Sequence, residues 1–292
     1  MVISFLVNEI QGGWKPTDIR LGGTEDSVVQ WAKRLRARGH TVDIYDNDNR
    51  NSYPGGYDVC INVKSPDKPP LEPTLYLTNE TDASRHDLSM YDGVIWPTQW
   101  AVDNIPTNAK RTFILPYGYD SRHIYTGQKI RYQCFYGSSP DRGLDTLLNV
   151  WPEIHMKHPQ ATLLLTYGAQ VPPLEGVMNL GVVDEETMVD IYRTSDFWCH
   201  PCNGGELYCI TGIKAQAAGC IPVIIPRMAL SETVINGYWA DDEASYFDAL
   251  DVALSASNEE IAKLRKELMY HHYPNWFDST NRLEEIIGLV TK

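Results

Sequence analysis

Short apolar runs alternating with amphipathic stretches constrain this chain more than any other feature it has. The first run, VISFLV at residues 2–7, is apolar and rich in β-branched residues, the pattern of a strand covered on both faces, and such strands belong in parallel sheets. A polar, glycine-containing stretch over residues 8–23 follows. Val28, Val29, Trp31, Ala32 and Leu35 then share one helical face, with Gly39 placed as the C-cap. TVDIYD resumes as a strand. The result is a β-loop-α-β unit whose glycine pair, Gly22-Gly23, sits where the helix begins, a geometry that lets backbone N–H groups approach an anion. YDVCINV, LYLTNE, YDGVIWPT and RTFILPYG continue the strands, with connections mostly too short for long helices. This predicts a compact Rossmann-like domain ending near residues 115–119, where a strand runs into a polar stretch without helical periodicity.

A second series starts at Ile130. RYQCFYG, ATLLLTYG, MNLGVV, DFWCHP and CIPVII read as strands, while residues 141–157, 184–193 and the segment GELYCITGIKAQAAG, opening at Glu206, read as helices. Met188, Ile191 and Tyr192 are core positions of the second of these. NWFDSTNRLEEIIGLVTK is a terminal amphipathic helix, and His271-His272 mark a helix terminus. Two successive α/β domains with a cleft between them account for this pattern: residues 1–118, 119–274 and a closing helix at 275–292.

Composition narrows the functional classes. Of 292 residues, 25 are Lys or Arg and 38 Asp or Glu, a net charge of −13, the wrong sign for a broad nucleic-acid or anionic-membrane footprint. The start MVISFLVNEIQ lacks a basic n-region and no run reaches the ~18 apolar residues of a membrane span, so the chain reads as cytoplasmic. Six cysteines in such a chain predict reduced thiols. Cys199-His-Pro-Cys202 is a CxxC pair, and Cys209 and Cys220 could complete four ligands, but the spacing is not that of a common zinc ribbon. No metal site is expected. Asp46-Asn-Asp48, a D-x-D pattern, directly follows a strand and reads as a turn.

The densest chemistry lies in HPCNGGELYCITGIKAQAAGCIPVI, residues 200–224. A strand ends at Pro201, Gly204 and Gly205 free the backbone, and the helix start at Glu206 turns N–H groups and a positive dipole toward a ligand, which favours a phosphate or diphosphate. A second element, YGSSPDRG, follows a strand and opens the next helix. There Arg142 can donate a bidentate pair to phosphate oxygens while Ser138 and Ser139 add donors.

These residues also carry a resemblance. RLGGTEDSVVQWAKRLRARGHTVDIY, FYGSSPDRGLDTLLNVWPEIHMKHPQATLLLTYG, NLGVVDEETMVDIYRTSDFWCHP and GGELYCITGIKAQAAGCIPVII resemble, collinearly and over most of the chain, the retaining nucleotide-sugar glycosyltransferases of GT-B type (family 4-like, group 1). ILPYGYD is similar to the turn joining that family's domains, and NWFDSTNRLEEII to its crossing-back helix. The resemblance implies an α/β fold of two Rossmann-like domains and a nucleotide-diphosphate-sugar donor, transferred to a carbohydrate or other hydroxyl acceptor with retention and without a metal or other cofactor. Glu206 matches the first glutamate of the E-x(7)-E signature and is the implied catalytic residue. Arg142 matches the basic residue on the diphosphate. Gly204, Gly205, Leu207 and Tyr208 match the loop beside sugar and phosphate, and Gly22 and Gly23 the first-domain glycine loop.

Two positions depart from that pattern. The second signature glutamate is Lys214, an ammonium that only donates where a carboxylate accepts from both ribose hydroxyls. Near residues 75–82, where the family has a histidine, stand Asn79, Glu80 and Asp82, which become the acceptor-side candidates. Transfer needs no protein nucleophile in this family, which agrees with finding no Ser-His-Asp or Cys-His arrangement. A catalytically weak nucleotide-sugar-binding protein, suggested by Lys214, and a nucleotide-sugar epimerase of the same fold are the alternatives.

Overall fold

The computed structural model describes residues 1–7, 23–46, 52–64, 73–120, 128–168 and 170–292. The chain divides into two units: Met1–Gly118 joined by Pro274–Lys292, and Tyr119–Tyr273.

In the first unit, β1 (Val2–Val7), β2 (Thr41–Tyr45), β3 (Val59–Val63), β4 (Thr74–Leu77), β5 (Gly93–Trp96) and β6 (Thr112–Ile114) form one sheet in the order β2-β1-β3-β4-β5-β6, with every pairing parallel. The apolar runs are apolar because both faces are covered: β3, β4 and β5 are buried along their whole length. Helix α1 (Gly23–Ala37) buries Val28, Trp31, Ala32 and Leu35, the face its periodicity marked, and Val29 lies beside it. The short α2 (Gln99–Asn104) is capped by the Thr98 hydroxyl, which accepts from the Ala101 N–H.

The second unit runs β7 (Ile130–Tyr136), α3 (Leu144–Lys157), β8 (Thr162–Leu165), β9 (Val177–Asn179), α4 (Glu185–Thr194), β10 (Ser195–His200), α5 (Ile210–Ala217), β11 (Ile221–Ile224), α6 (Leu230–Thr233), β12 (Tyr238–Trp239), α7 (Tyr246–Ser255) and α8 (Asn258–Tyr270). Its sheet is also wholly parallel, in the order β12-β11-β10-β7-β8-β9. The winding reverses between β7 and β10. In open α/β sheets that reversal leaves a crevice outside the carboxyl ends of the two strands, the usual seat of a ligand.

The structure departs from three sequence expectations. The helix expected from Glu206 begins at Ile210, because Cys209 takes a left-handed conformation (φ 62°) and the Glu206 carbonyl accepts from the Ala229 N–H, a partner outside any helix. The helix expected over 141–157 is split into a 3-10 turn, Pro140–Arg142, and α3, with left-handed Gly143 between them. MNLGVV contributes strand only as far as Asn179.

All six cysteines are buried free thiols. Strand alternation sends Cys199 to the core cluster of Trp151, Phe197 and Tyr246, while Cys202, Cys209 and Cys220 join the one around Phe135, Trp198 and Leu230. The four sulfurs of the CxxC reading therefore do not converge.

Helix α9 (Trp276–Val290) packs with the first unit. Asn275 and Asp278 close a full capping box at its start. Its Trp276 ring meets Trp31 edge-on at 6.1 Å, and the Ser279 hydroxyl accepts from Trp31 Nε1 (2.9 Å) while donating to the Pro116 carbonyl (2.6 Å). Among the described residues, no helix is long and apolar enough to cross a membrane.

Candidate functional site

The two segments singled out by sequence leave adjacent strands of the second unit at the point where the winding reverses. After β7 the chain passes Gly137, Ser138 and Ser139 and turns through Pro140–Arg142 into α3. The Tyr136 hydroxyl donates to the Ser139 carbonyl (2.6 Å) and the Arg142 N–H to the same oxygen (3.0 Å), which fixes the turn. After β10 the loop 201–209 leads into α5, whose Thr211 hydroxyl donates to the Gly137 carbonyl (3.2 Å) and ties that helix start to the end of β7.

The loops touch at glycine. Gly143 has φ 102°, and a Cβ there would run into the Pro201 carbonyl oxygen, so no other residue allows this approach. Gly205 (φ 79°) lies directly under the Arg142 guanidinium, in space that a Cβ would take from Nη1. Arg142 Nη1 donates to the Gly204 carbonyl (2.8 Å), and its Nε stands 4.0 Å from Glu206 Oε1 and 3.8 Å from Asp141 Oδ2. Arg142, Gly204, Gly205 and Glu206 thus form one cluster, with Ser138 and Ser139 on the same turn. Leu207 and Tyr208 are 2% and 6% exposed, so their side chains serve the interior.

The electrostatics are those of a site buried on one side, with His200 fully enclosed and Arg142 and Glu206 partly exposed. Burial pushes the Glu206 carboxyl up to about 7 against the opposing pull of Arg142, with Asp141 adding to the rise. The His200 imidazole, fully buried at the end of β10, is pushed down to about 3 by burial and then by Arg142, so it is neutral. Its Nε2 lies 3.8 Å from Glu206 Oε1, too far for a hydrogen bond. Burial likewise raises the Cys202 thiol to about 11 and pushes the Cys209 thiol well above its ordinary value. His200, Glu206 and Cys209 each offer one ligand atom within 4.8 Å of the others. The sequence assigns His200 no role; the one signal it carries there is that of a polar residue closing an apolar strand.

Lys214 sits on α5 with its ammonium nearly buried and paired with Glu185 at the start of α4 (3.0 Å). A cation thus replaces the expected carboxylate, and a carboxylate from the neighbouring helix comes to it.

The remaining candidates belong to the first unit. Gly23 opens α1 and its carbonyl accepts from the Ser27 hydroxyl (2.7 Å); Gly22 lies outside the described residues, as do Asn47 and Asp48 of the D-x-D pattern, whose Asp46 is buried after β2. Asn79 Nδ2 donates to the Thr24 hydroxyl (3.2 Å), which joins the end of β4 to the start of α1. Glu80 lies 3.9 Å from Lys64 and burial raises its carboxyl, whereas Asp82 is exposed on the 3-10 turn Thr81–Arg85. Sequence reasoning passes over Glu25, in the first turn of α1: it is 2% exposed, and burial raises its carboxyl.

No protein-family model matches the chain. A phosphatidyl-myo-inositol mannosyltransferase of Mycobacterium tuberculosis is 30% identical over 106 residues, which are 34% of this chain and 28% of that protein's length. The solved structures align far more widely. Anabaena HepE, in complex with UDP and glucose, superposes with TM-score 0.73 at 14% identity over 98% of this chain and 99% of its own. The catalytic domain of starch synthase IV from Arabidopsis thaliana, bound to ADP and acarbose, gives TM-score 0.70 at 12% identity over 99% of each chain. AviGT4, a glycosyltransferase of avilamycin A biosynthesis, gives 0.69 at 14% identity over 99% and 98%. Over nearly its whole length, then, this chain has the α/β fold of the GT-B glycosyltransferases.

Proposed function

We propose that the protein is a glycosyltransferase that moves a sugar from a nucleotide-diphosphate sugar to an acceptor hydroxyl, with retention of anomeric configuration and without an essential metal ion. The observation that carries this reading is the junction of the two loops at the sheet's reversal point: Arg142, anchored on the Gly204 carbonyl, stands where a diphosphate would meet guanidinium and glycine backbone together. Donor cleavage leaves charge on the diphosphate as the sugar carbon becomes oxocarbenium-like. A fixed guanidinium stabilises that charge more in the transition state than in the ground state. It also supplies at the leaving group the positive charge that a metal would otherwise bring.

In this reading Glu206, protonated about half the time near neutral pH, accepts from and donates to hydroxyls of the donor sugar. The carboxylate for the ribose hydroxyls comes from Glu185, positioned by Lys214. Asn79 and Glu80 are the acceptor-side groups of the first unit. The similarity to proteins bound to UDP or ADP makes uridine and adenosine diphosphate sugars the first donors to test.

Melting curves with a panel of nucleotide sugars, followed by nucleotide release with and without sugar acceptors, test the proposal. One donor should raise the melting temperature, and Arg142→Ala should lower kcat/KM on the order of 10²–10³-fold. Nucleotide release unchanged in Arg142→Ala would overturn it. The pairing of Lys214 with Glu185 favours, as a second reading, a protein that binds the donor without turning it over. Tight nucleotide binding without transfer, in both the native protein and Lys214→Glu, would select that reading.

A further inference from the structure

We propose that His200, Glu206 and Cys209 form a binding site for one divalent ion of the zinc class, held by His200 Nε2, a Glu206 carboxylate oxygen and Cys209 Sγ. Among the described residues this is the one group of three such side chains whose ligand atoms all lie within 4.8 Å of one another, and bound zinc would bring them to about 3–4 Å, given Zn–N and Zn–O bonds of ~2.1 Å and Zn–S of ~2.3 Å. The observation that singles it out is the imidazole. His200 is 0% exposed, stacked between Trp198 (5.2 Å) and Tyr136 (5.9 Å), and neither ring nitrogen has a hydrogen-bond partner. A buried imidazole ordinarily uses at least one nitrogen, since sealing both from water without a partner costs free energy. A metal bond at Nε2 would satisfy that atom.

The donor set identifies the class of ion. Magnesium and calcium take oxygen ligands, whereas nitrogen, oxygen and sulfur together suit zinc and its neighbours, and three protein ligands leave a fourth position open. Carboxylate and thiolate supply two negative charges against the ion's two positive ones. The protons they release make binding tighter as pH rises. Arg142 opposes the ion, but its guanidinium reaches Glu206 only at 4.0 Å and is held on the Gly204 carbonyl. Cys209 is placed by the left-handed turn before α5, which the sequence spacing H-x5-E-x2-C does not signal. If Glu206 contacts the donor sugar, as proposed above, an ion that engages it competes with the donor, and zinc-class ions inhibit transfer. That consequence rests on the proposed function; the ion site does not.

Cobalt is the probe, because its thiolate complexes absorb by charge transfer. The EDTA-treated 292-residue chain titrated with Co2+ should bind one equivalent with thiolate-to-cobalt absorption, and Zn2+ should displace it. Cys209→Ser should abolish that absorption. Glu206→Gln, on the more accessible side of the cluster, should weaken cobalt binding at least tenfold while keeping native circular dichroism. Absence of the absorption in the native protein, its persistence in Cys209→Ser, or unchanged affinity in Glu206→Gln would each overturn the site. Melting curves with UDP-glucose and ADP-glucose in EDTA separate the two proposals: cobalt binding without nucleotide-sugar binding keeps the ion site and counts against the donor reading, and the reverse keeps the donor reading alone.

Discussion

Glu206 is a carboxyl whose burial costs stability once it is ionised. Its carboxyl is raised from about 4.5 in the unfolded chain to about 7 in the fold. A raised carboxyl stabilises the folded state at low pH, where both states hold the proton; as pH climbs from about 4.5 to about 7 the unfolded chain ionises first, and stability falls. The loss reaches about 3 kcal/mol at most, since a tenfold change in proton affinity is worth about 1.36 kcal/mol. In metal-free protein, Glu206→Gln should therefore raise the melting temperature above pH 7, flatten its pH dependence, and reduce donor turnover. Thermal denaturation at pH 5, 6, 7 and 8 checks this, and equal pH slopes in both proteins would contradict it. Lys214 is a parallel case with an explicit partner. Glu185→Gln leaves a nearly buried ammonium without its counter-charge, so it should lower stability and raise KM for the donor more than it changes kcat, which steady-state kinetics reads directly.

Among the elements, the loop after β7 and the loop after β10 meet at the close approach of Gly143 to the Pro201 carbonyl and at the Arg142 bond to the Gly204 carbonyl. Gly143→Ala combines a left-handed backbone with a Cβ that collides with the Pro201 carbonyl. It should cost at least about 2 kcal/mol and loosen nucleotide binding together, because the same shift moves Arg142 off Gly204. Chemical denaturation with nucleotide titration measures both, and loss of stability with intact binding would show that the loops move as one body. The late start of α5 is not legible in the sequence, since GELYC has no proline or cap residue to delay a helix. Glu206 loses its helical partner because its carbonyl is taken by Ala229, more than twenty residues downstream. By contrast, α8, which the sequence reading passes over, does carry a local signature: Ser257 caps it and Ile261, Leu264 and Leu268 recur at helical spacing.

Across the full chain, the two units are unequal in covalent terms. Tyr119–Tyr273 is continuous and holds its own core and every residue of the Arg142 cluster, whereas the first unit is assembled from both ends of the chain. The fragment Tyr119–Tyr273 should fold cooperatively and retain nucleotide binding. A fragment ending at Gly118 lacks α9, which covers Trp31 and takes its indole hydrogen bond, so it should expose apolar surface and melt without a cooperative transition. Circular dichroism and calorimetry of the two fragments check both outcomes.

The strands are written in the order of residues, because strands buried on both faces are near-continuous apolar runs, and VISFLV and VCINV, short and rich in β-branched residues, are buried at every position but Val2. Both loops are marked there too, since glycine and arginine beside strand ends are local features. What those loops enclose is set only when the chain has packed. The sealing of His200, the pairing of Lys214 with Glu185 and the turn at Cys209 depend on residues distant in the chain, and burial, which sets both charge state and ligand chemistry, is a property of the packed neighbourhood and not of the residue.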